Sequence, residues 1–373
     1  MPDDKRRVED IRRKVETATA RARAFADRVD RRMARILYDD VPSFMEAPFY
    51  DEVEGGDVVV AGFPYEGVKV RDPRTLVPAA AGRVDPAIYA RAGANEAPRA
   101  IRRHSIHYSL DHSPGGYFPE MGRSFRVADA VSVCDAGDLP VDMTQSAEEI
   151  QNRAGDRLRE LIGESRVPIV LGGDDTVPYV GIRAVQGQPG SKIAVIKLDS
   201  HFDLAWEPRF WAGSQWAACI EAGYIEPQNL ALIGMRGLRN RTLLHEIAGE
   251  LGIPYWTLRD IEERGITAVV TEALEAVAAD CDRVYLSLDL DVVDPAFLPA
   301  QKYPEPAGLT GRETLAALRT TIEKGPPLCG FDMACLGPDY DVNGLGAQFA
   351  ARCAVEVIGS YGVRRLAEGR EPA

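Results

Sequence analysis

The chain has 373 residues, 45% apolar and 27% charged, with a formal net charge of −13. That suits one large soluble α/β domain or two smaller ones, and disfavours nucleic acid and anionic membrane as partners. Six scattered cysteines without CxxC spacing, a charged start and no bilayer-length apolar run predict a reduced cytoplasmic protein without a signal peptide.

Val8, Ile11, Val15, Ala18, Ala22, Phe25, Val29, Met33 and Ile36 recur at three- and four-residue steps. This is the seam of an amphipathic helix. Residues 1–45 are therefore read as an N-terminal helical arm, lying on its own domain or on a neighbouring subunit. Residues 46–373 are read as one large domain. From Val58 the pattern is strand, loop, helix, repeated. Apolar runs at 58–62, 131–135, 167–171, 193–196, 230–234, 253–257, 283–289 and 328–333 predict strands. Periodic segments at 148–162, 239–251, 267–279, 312–322 and 347–358, and a helix opening at Pro98, fit between them. Near-continuous apolar strands alternating with helices predict a parallel sheet covered on both faces, a three-layer α/β/α fold.

Three of these strands run into aspartates. The stretches are Gly172-Gly173-Asp174-Asp175, Asp199-Ser200-His201-Phe202-Asp203 and Ser287-Leu288-Asp289-Leu290-Asp291-Val292-Val293-Asp294-Pro295. Alternate residues of a strand share a face, so Asp199, His201 and Asp203 point one way, as do Asp289 and Asp291. Ligands of open α/β sheets bind beyond the carboxyl ends of the strands, where all three clusters meet. So many carboxylates on one rim repel one another unless cations lie between them. Asp175, Asp199, His201, Asp203, Asp289 and Asp291 offer six ligands, enough for two divalent ions that activate water at neutral pH.

These motifs resemble the three metal motifs of the arginase/agmatinase, or ureohydrolase, superfamily. The resemblance runs from about residue 57 to 360. It includes Gly93-Ala94 with Ala97-Pro98-Arg99-Ala100-Ile101-Arg102, Asp135-Ala136-Gly137-Asp138, Ile233-Gly234-Met235-Arg236-Gly237 and Pro338 with Tyr340-Asp341. It implies an arginase-like three-layer catalytic domain, a homotrimer or homohexamer, two Mn²⁺ or Ni²⁺ ions, and hydrolysis at a guanidinium-type carbon. Asp294 is implied to be a structural carboxylate.

Three departures stand out. Asp175 occupies a position where most members have His. Ala212 replaces a proton-shuttling His, and Cys335 replaces a Glu that holds the substrate guanidinium. Trp206, Trp211 and Trp216, spaced five apart in a loop, offer either loop packing or an aromatic wall for a planar cation. Cys335 is read as a packing thiol within the substrate pocket.

The expected activity is cleavage of a C–N bond in a small guanidine-type compound: guanidine, a methylated guanidine or a biguanide. The products are urea or guanylurea plus an amine or ammonia. Asp203 is the candidate to carry a proton to the leaving nitrogen. The nearest branch by resemblance is that of guanidine and biguanide hydrolases. The alternatives are an agmatinase-like or guanidino-acid hydrolase, and a non-catalytic subunit partnering an active paralogue.

Overall fold

Eight apolar runs form eight strands in one sheet, with every pairing parallel. They are β1 (Val58–Phe63), β2 (Val133–Asp138), β3 (Val167–Gly172), β4 (Ile193–Leu198), β5 (Leu230–Met235), β6 (Tyr255–Thr257), β7 (Arg283–Asp289) and β8 (Leu328–Ala334). Their order across the sheet is β2-β1-β3-β8-β7-β4-β5-β6. The computed structural model describes residues 42–50, 56–67, 91–108, 118–121, 125–186, 192–206 and 210–370. The expected arm at 1–45 lies outside them, apart from Pro42–Met45. Among the described residues no helix is long and apolar enough to cross a membrane.

Strand alternation splits the core into two layers. Val58, Val60, Ala194, Ile196 and Leu198 face one helical layer, and Val59, Ala61, Ile193 and Val195 face the other. The first layer holds α1 (Ala97–Ser105), and the second holds α2 (Ala147–Ile162), α3 (Val177–Val185), α4 (Gln215–Glu221) and α5 (Thr242–Leu251). α6 (Leu258–Arg264), α7 (Ile266–Val277), α8 (Gly311–Lys324) and α9 (Leu345–Ala367) complete the first layer. The three-layer α/β/α architecture expected from sequence is the one observed. Reciprocal capping boxes start α2 (Ser146 with Glu149), α6 (Thr257 with Asp260) and α8 (Thr310 with Glu313).

The motifs outside the acidic clusters are structural braces. Arg102 of α1 is buried and donates to Asp135 at 2.8 and 2.9 Å, to Asp138 at 2.5 Å and to the Gly137 carbonyl at 2.8 Å. Asp135 also accepts from the Phe44 amide at 2.7 Å. Asp341 caps α9 through the Gly346 and Ala347 amides. Removing one partner of a buried pair strands the other charge, typically at a cost of about 3–5 kcal/mol. Arg102→Ala is therefore expected to lower the urea midpoint by that equivalent, with Arg102→Lys recovering part of it.

Candidate metal centre

β3, β8, β7 and β4 are consecutive in the sheet, and the three acidic clusters meet at their carboxyl ends. The β3 turn requires glycine, because a Cβ at Gly173 would stand 1.9 Å from the Tyr65 carbonyl oxygen. Asp174 turns away from the centre, accepting from Thr176 Oγ1 at 2.7 Å and the Gly67 amide at 2.8 Å. Asp175 turns into it. Asp294 accepts from the Ala296 and Gly308 amides and braces its own loop.

Among the described residues, two ligand groups share Asp199. One is Asp199, His201 and Asp291; the other is Asp175, Asp199 and Asp289, each with donor atoms within 4.8 Å of one another. In the first, His201 Nδ1 stands 3.1 Å from Asp291 Oδ2 and 3.7 Å from Asp199 Oδ1. Asp291 Oδ1 is fixed by the Ser200 hydroxyl at 2.6 Å and its amide at 3.2 Å. The buried Oδ2 atoms of Asp199 and Asp291 meet only charged neighbours, Lys197 Nζ at 3.4 Å and His201 Nδ1 at 3.1 Å. Buried carboxylate oxygens gathered around an imidazole are a donor set suited to a divalent cation. Arg236 ties this loop down through the Asp291 carbonyl at 2.7 Å, and Asn240 holds the Ser200 carbonyl at 2.9 Å.

The electrostatics follow from burial and crowding. Burial lifts Asp175 and Asp289 well above the usual carboxylate range, Lys197 opposing and neighbouring aspartates adding to it. Burial pushes Asp199 up to about 6, against the pull of Lys197 and with Asp203 and Asp291 adding to it. Burial also disfavours an ionised Asp291, but His201, Ser200 and Arg236 outweigh it and bring it to about 2.

Asp203 stands beside the second group and outside both. Its Oδ2 accepts from Gln215 Nε2 at 2.9 Å, and the same amide donates to Asp175 Oδ2. Lys197, fully buried on β4, donates to Asp175 Oδ1 at 2.6 Å and pairs with Asp199 at 3.4 Å. Sequence reasoning missed both Lys197 and Gln215. Lys197 was detectable, because it lies two residues before Asp199 and so shares its face.

A cavity of about 90 Å³ opens over this floor, lined by Asp175, His201, Asp203, Asp289 and Asp291 below and by Trp211, Arg239, Asn240, Arg241, Tyr303 and Cys335 around it. Of the three predicted tryptophans only Trp211 lines it. Trp206 is 41% exposed and donates to Glu221, while Trp216 is wholly buried with its ring 5.7 Å from Lys197 Nζ. Trp216 is buried within α4 and Trp206 faces solvent, so neither forms the expected wall. Cys335 is 2% exposed. Burial, reinforced by Asp289, Asp175 and Asp291, pushes its thiol well above its usual range, which suits a packing residue and not a nucleophile. Asp203 and Cys335 have φ of 49° and 67°, so two non-glycine residues of the wall hold left-handed backbone.

The arginase-family model matches residues 75–359. Proclavaminate amidinohydrolase of Streptomyces clavuligerus is 30% identical over 333 residues, covering 87% of this chain and 94% of that protein. Its solved structure matches with a TM-score of 0.69 at 29% identity, over 87% of this chain and 98% of that one. Guanidinopropionase of Pseudomonas aeruginosa is 26% identical over 324 residues, 85% of this chain and 91% of that protein. Trypanosoma cruzi formiminoglutamase, solved with Mn²⁺, shares the fold at a TM-score of 0.69 and 19% identity, over 87% of this chain and 99% of that one. With the parallel eight-stranded sheet and its acidic rim, these matches establish that the chain belongs to the arginase family, hydrolases of C–N bonds.

Proposed function

We propose that this chain hydrolyses the amidino C–N bond of a guanidino compound whose other end carries a carboxylate. The observation that carries this reading is the polarity of the cavity. Its floor is four carboxylates and an imidazole, while Arg239 and Arg241 line its wall. A substrate with a cationic guanidinium at one end and an anion at the other matches that gradient, because each end meets opposite charge in a poorly screened space. The names proclavaminate amidinohydrolase and guanidinopropionase, borne by relatives, fit the same class.

Asp199, His201 and Asp291 would hold a divalent ion such as Mn²⁺ or Ni²⁺, which would supply Lewis acidity to activate water. The protein's own groups do the rest. The carboxylate floor draws in the guanidinium. Tyr303 and Trp211 wall the cavity against bulk water. Hydrolysis adds water across the C–N bond, so a proton must reach the departing nitrogen. Asp203, anchored through one oxygen by Gln215, carries that proton in place of the histidine that Ala212 replaces.

A compact guanidine, methylguanidine or biguanide is the second reading. It is favoured by Trp211 on the wall and by Cys335 where the family's guanidinium-holding Glu would stand. Both readings assign Trp211 a contact with the substrate cation, of the kind worth about 0.5–2 kcal/mol. Trp211→Ala is expected to raise KM about two- to thirtyfold by that range, with bound metal unchanged by elemental analysis. An unaltered KM would remove Trp211 from the substrate site.

A further inference from the structure

Lys197 stands where the second ligand group requires a cation. β4 lies inside the sheet, and strand alternation puts Lys197 on the face of Asp199. Its register neighbours on β7 and β8 are Ser287 and Asp332. Nζ lies 2.6 Å from Asp175 Oδ1, 3.4 Å from Asp199 Oδ2 and 3.4 Å from Ser287 Oγ. Those two carboxylates are two of the three members of the Asp175–Asp199–Asp289 group. The other Asp175 oxygen takes Gln215 Nε2, so both oxygens already have donors. Asp203, the expected fourth ligand beside this group, takes the same amide.

The Asp199–His201–Asp291 group differs. The Asp291 side chain is held by Ser200 through Oδ1, while its buried Oδ2 meets His201 Nδ1 at 3.1 Å, and an imidazole, unlike a tethered ammonium, can give up its proton and join the carboxylates as a metal ligand. Arg236 donates to the backbone carbonyl of Asp291 at 2.7 Å, away from its carboxylate.

We propose that the Lys197 ammonium takes the place of one metal ion, so that the centre holds a single divalent cation on Asp199, His201 and Asp291. An ion bound to Asp175 Oδ1 would stand within about 5 Å of Nζ, adding an ordinary metal–oxygen bond to the Lys–Asp separation. There it would face a fixed positive charge with little water to screen it. The ammonium and a second ion compete for the same oxygens, and the ammonium is covalently tethered among them.

The ion count is a property of the centre and is independent of which guanidino compound is hydrolysed. A failed substrate test leaves it standing, and a failed ion count leaves the substrate reading standing. The test uses the full chain, stripped by chelator, reloaded with Mn²⁺ and dialysed. Elemental analysis is expected to give one Mn²⁺ per chain, with the electron paramagnetic resonance spectrum of an isolated ion. Two ions with an exchange-coupled spectrum overturn the proposal and leave Lys197 as a counter-charge for Asp175. No bound ion overturns it as well. Lys197→Met keeps the side-chain length and removes the charge. It is expected to bind a second Mn²⁺ and to acquire the coupled spectrum. A folded K197M that still binds one ion overturns the role given to Lys197. If K197M does not fold, the double variant D175H/K197M, which leaves no unpaired carboxylate at 175, is read by the same two criteria.

Discussion

Asp291→Asn is expected to abolish turnover, lowering kcat/KM by at least about a thousandfold, some 4 kcal/mol of transition-state stabilisation. The substitution is nearly isosteric. Its amide oxygen still accepts from Ser200, whose hydroxyl and amide hold Asp291 Oδ1, so the loop keeps its anchor. What is lost is the negative charge and the buried carboxylate Oδ2 that meets His201 Nδ1 at 3.1 Å. Bound metal should fall by about one ion per chain, as expected when a charged donor of a buried ligand set is neutralised. Far-ultraviolet circular dichroism should be unchanged. Ser200→Ala serves as the comparison: it loosens the anchor without touching the donor, and outer groups of this kind typically cost about 10–100-fold. An Asp291→Asn protein retaining both metal and wild-type turnover would place the reactive centre elsewhere.

Substrate choice should follow the charge gradient of the cavity. 3-Guanidinopropionate or 4-guanidinobutyrate is expected to exceed agmatine in kcat/KM by tenfold or more, roughly 1.4 kcal/mol of discrimination. Agmatine ends in an ammonium, which must approach Arg239 and Arg241, whereas a carboxylate is drawn to them. The Arg241→Gln variant should raise KM for the guanidino acids and leave that for guanidine nearly unaltered. Guanidine, methylguanidine and dimethylbiguanide complete the panel. If one of these leads, the compact-substrate reading replaces the guanidino-acid one; if agmatine leads, both fail.

The strands were legible because each is an apolar run buried on both faces, and all eight fall where the runs predict. The helices were less so. α3 was not anticipated, because every residue but Arg183 is buried and the segment has no polar face to reveal a period. α4 and α6 are seven residues each, too short for periodicity to declare itself. α9 runs on to Ala367, past the expected end at Ile358, where Gly359 and Gly362 pack closely on Phe118 and Ala130.

At the site, the acidic motifs announced which residues converge, because strand alternation and the common sheet edge are sequence properties. Their partners were not announced. Gln215 arrives from a helix the pattern did not reveal. Lys197 lies within the motif itself, but a lysine is ordinarily solvent-facing, and only the sheet order shows β4 covered on both sides. The tryptophan spacing carried no information about burial. Trp206 at the surface and Trp216 in the core are equally compatible with a repeat of five in a loop.

The buried Lys197 also bears on how the protein comes into being. Clustered buried aspartates repel one another unless cations lie between them. Here the strand that carries Asp199 brings an ammonium with it, threaded between Asp175 and Trp216. The repulsion that would hold β3 and β4 apart is relieved within the polypeptide itself. Closing the core around Asp175 is then less dependent on an external cation than an acidic rim without a buried ammonium would be.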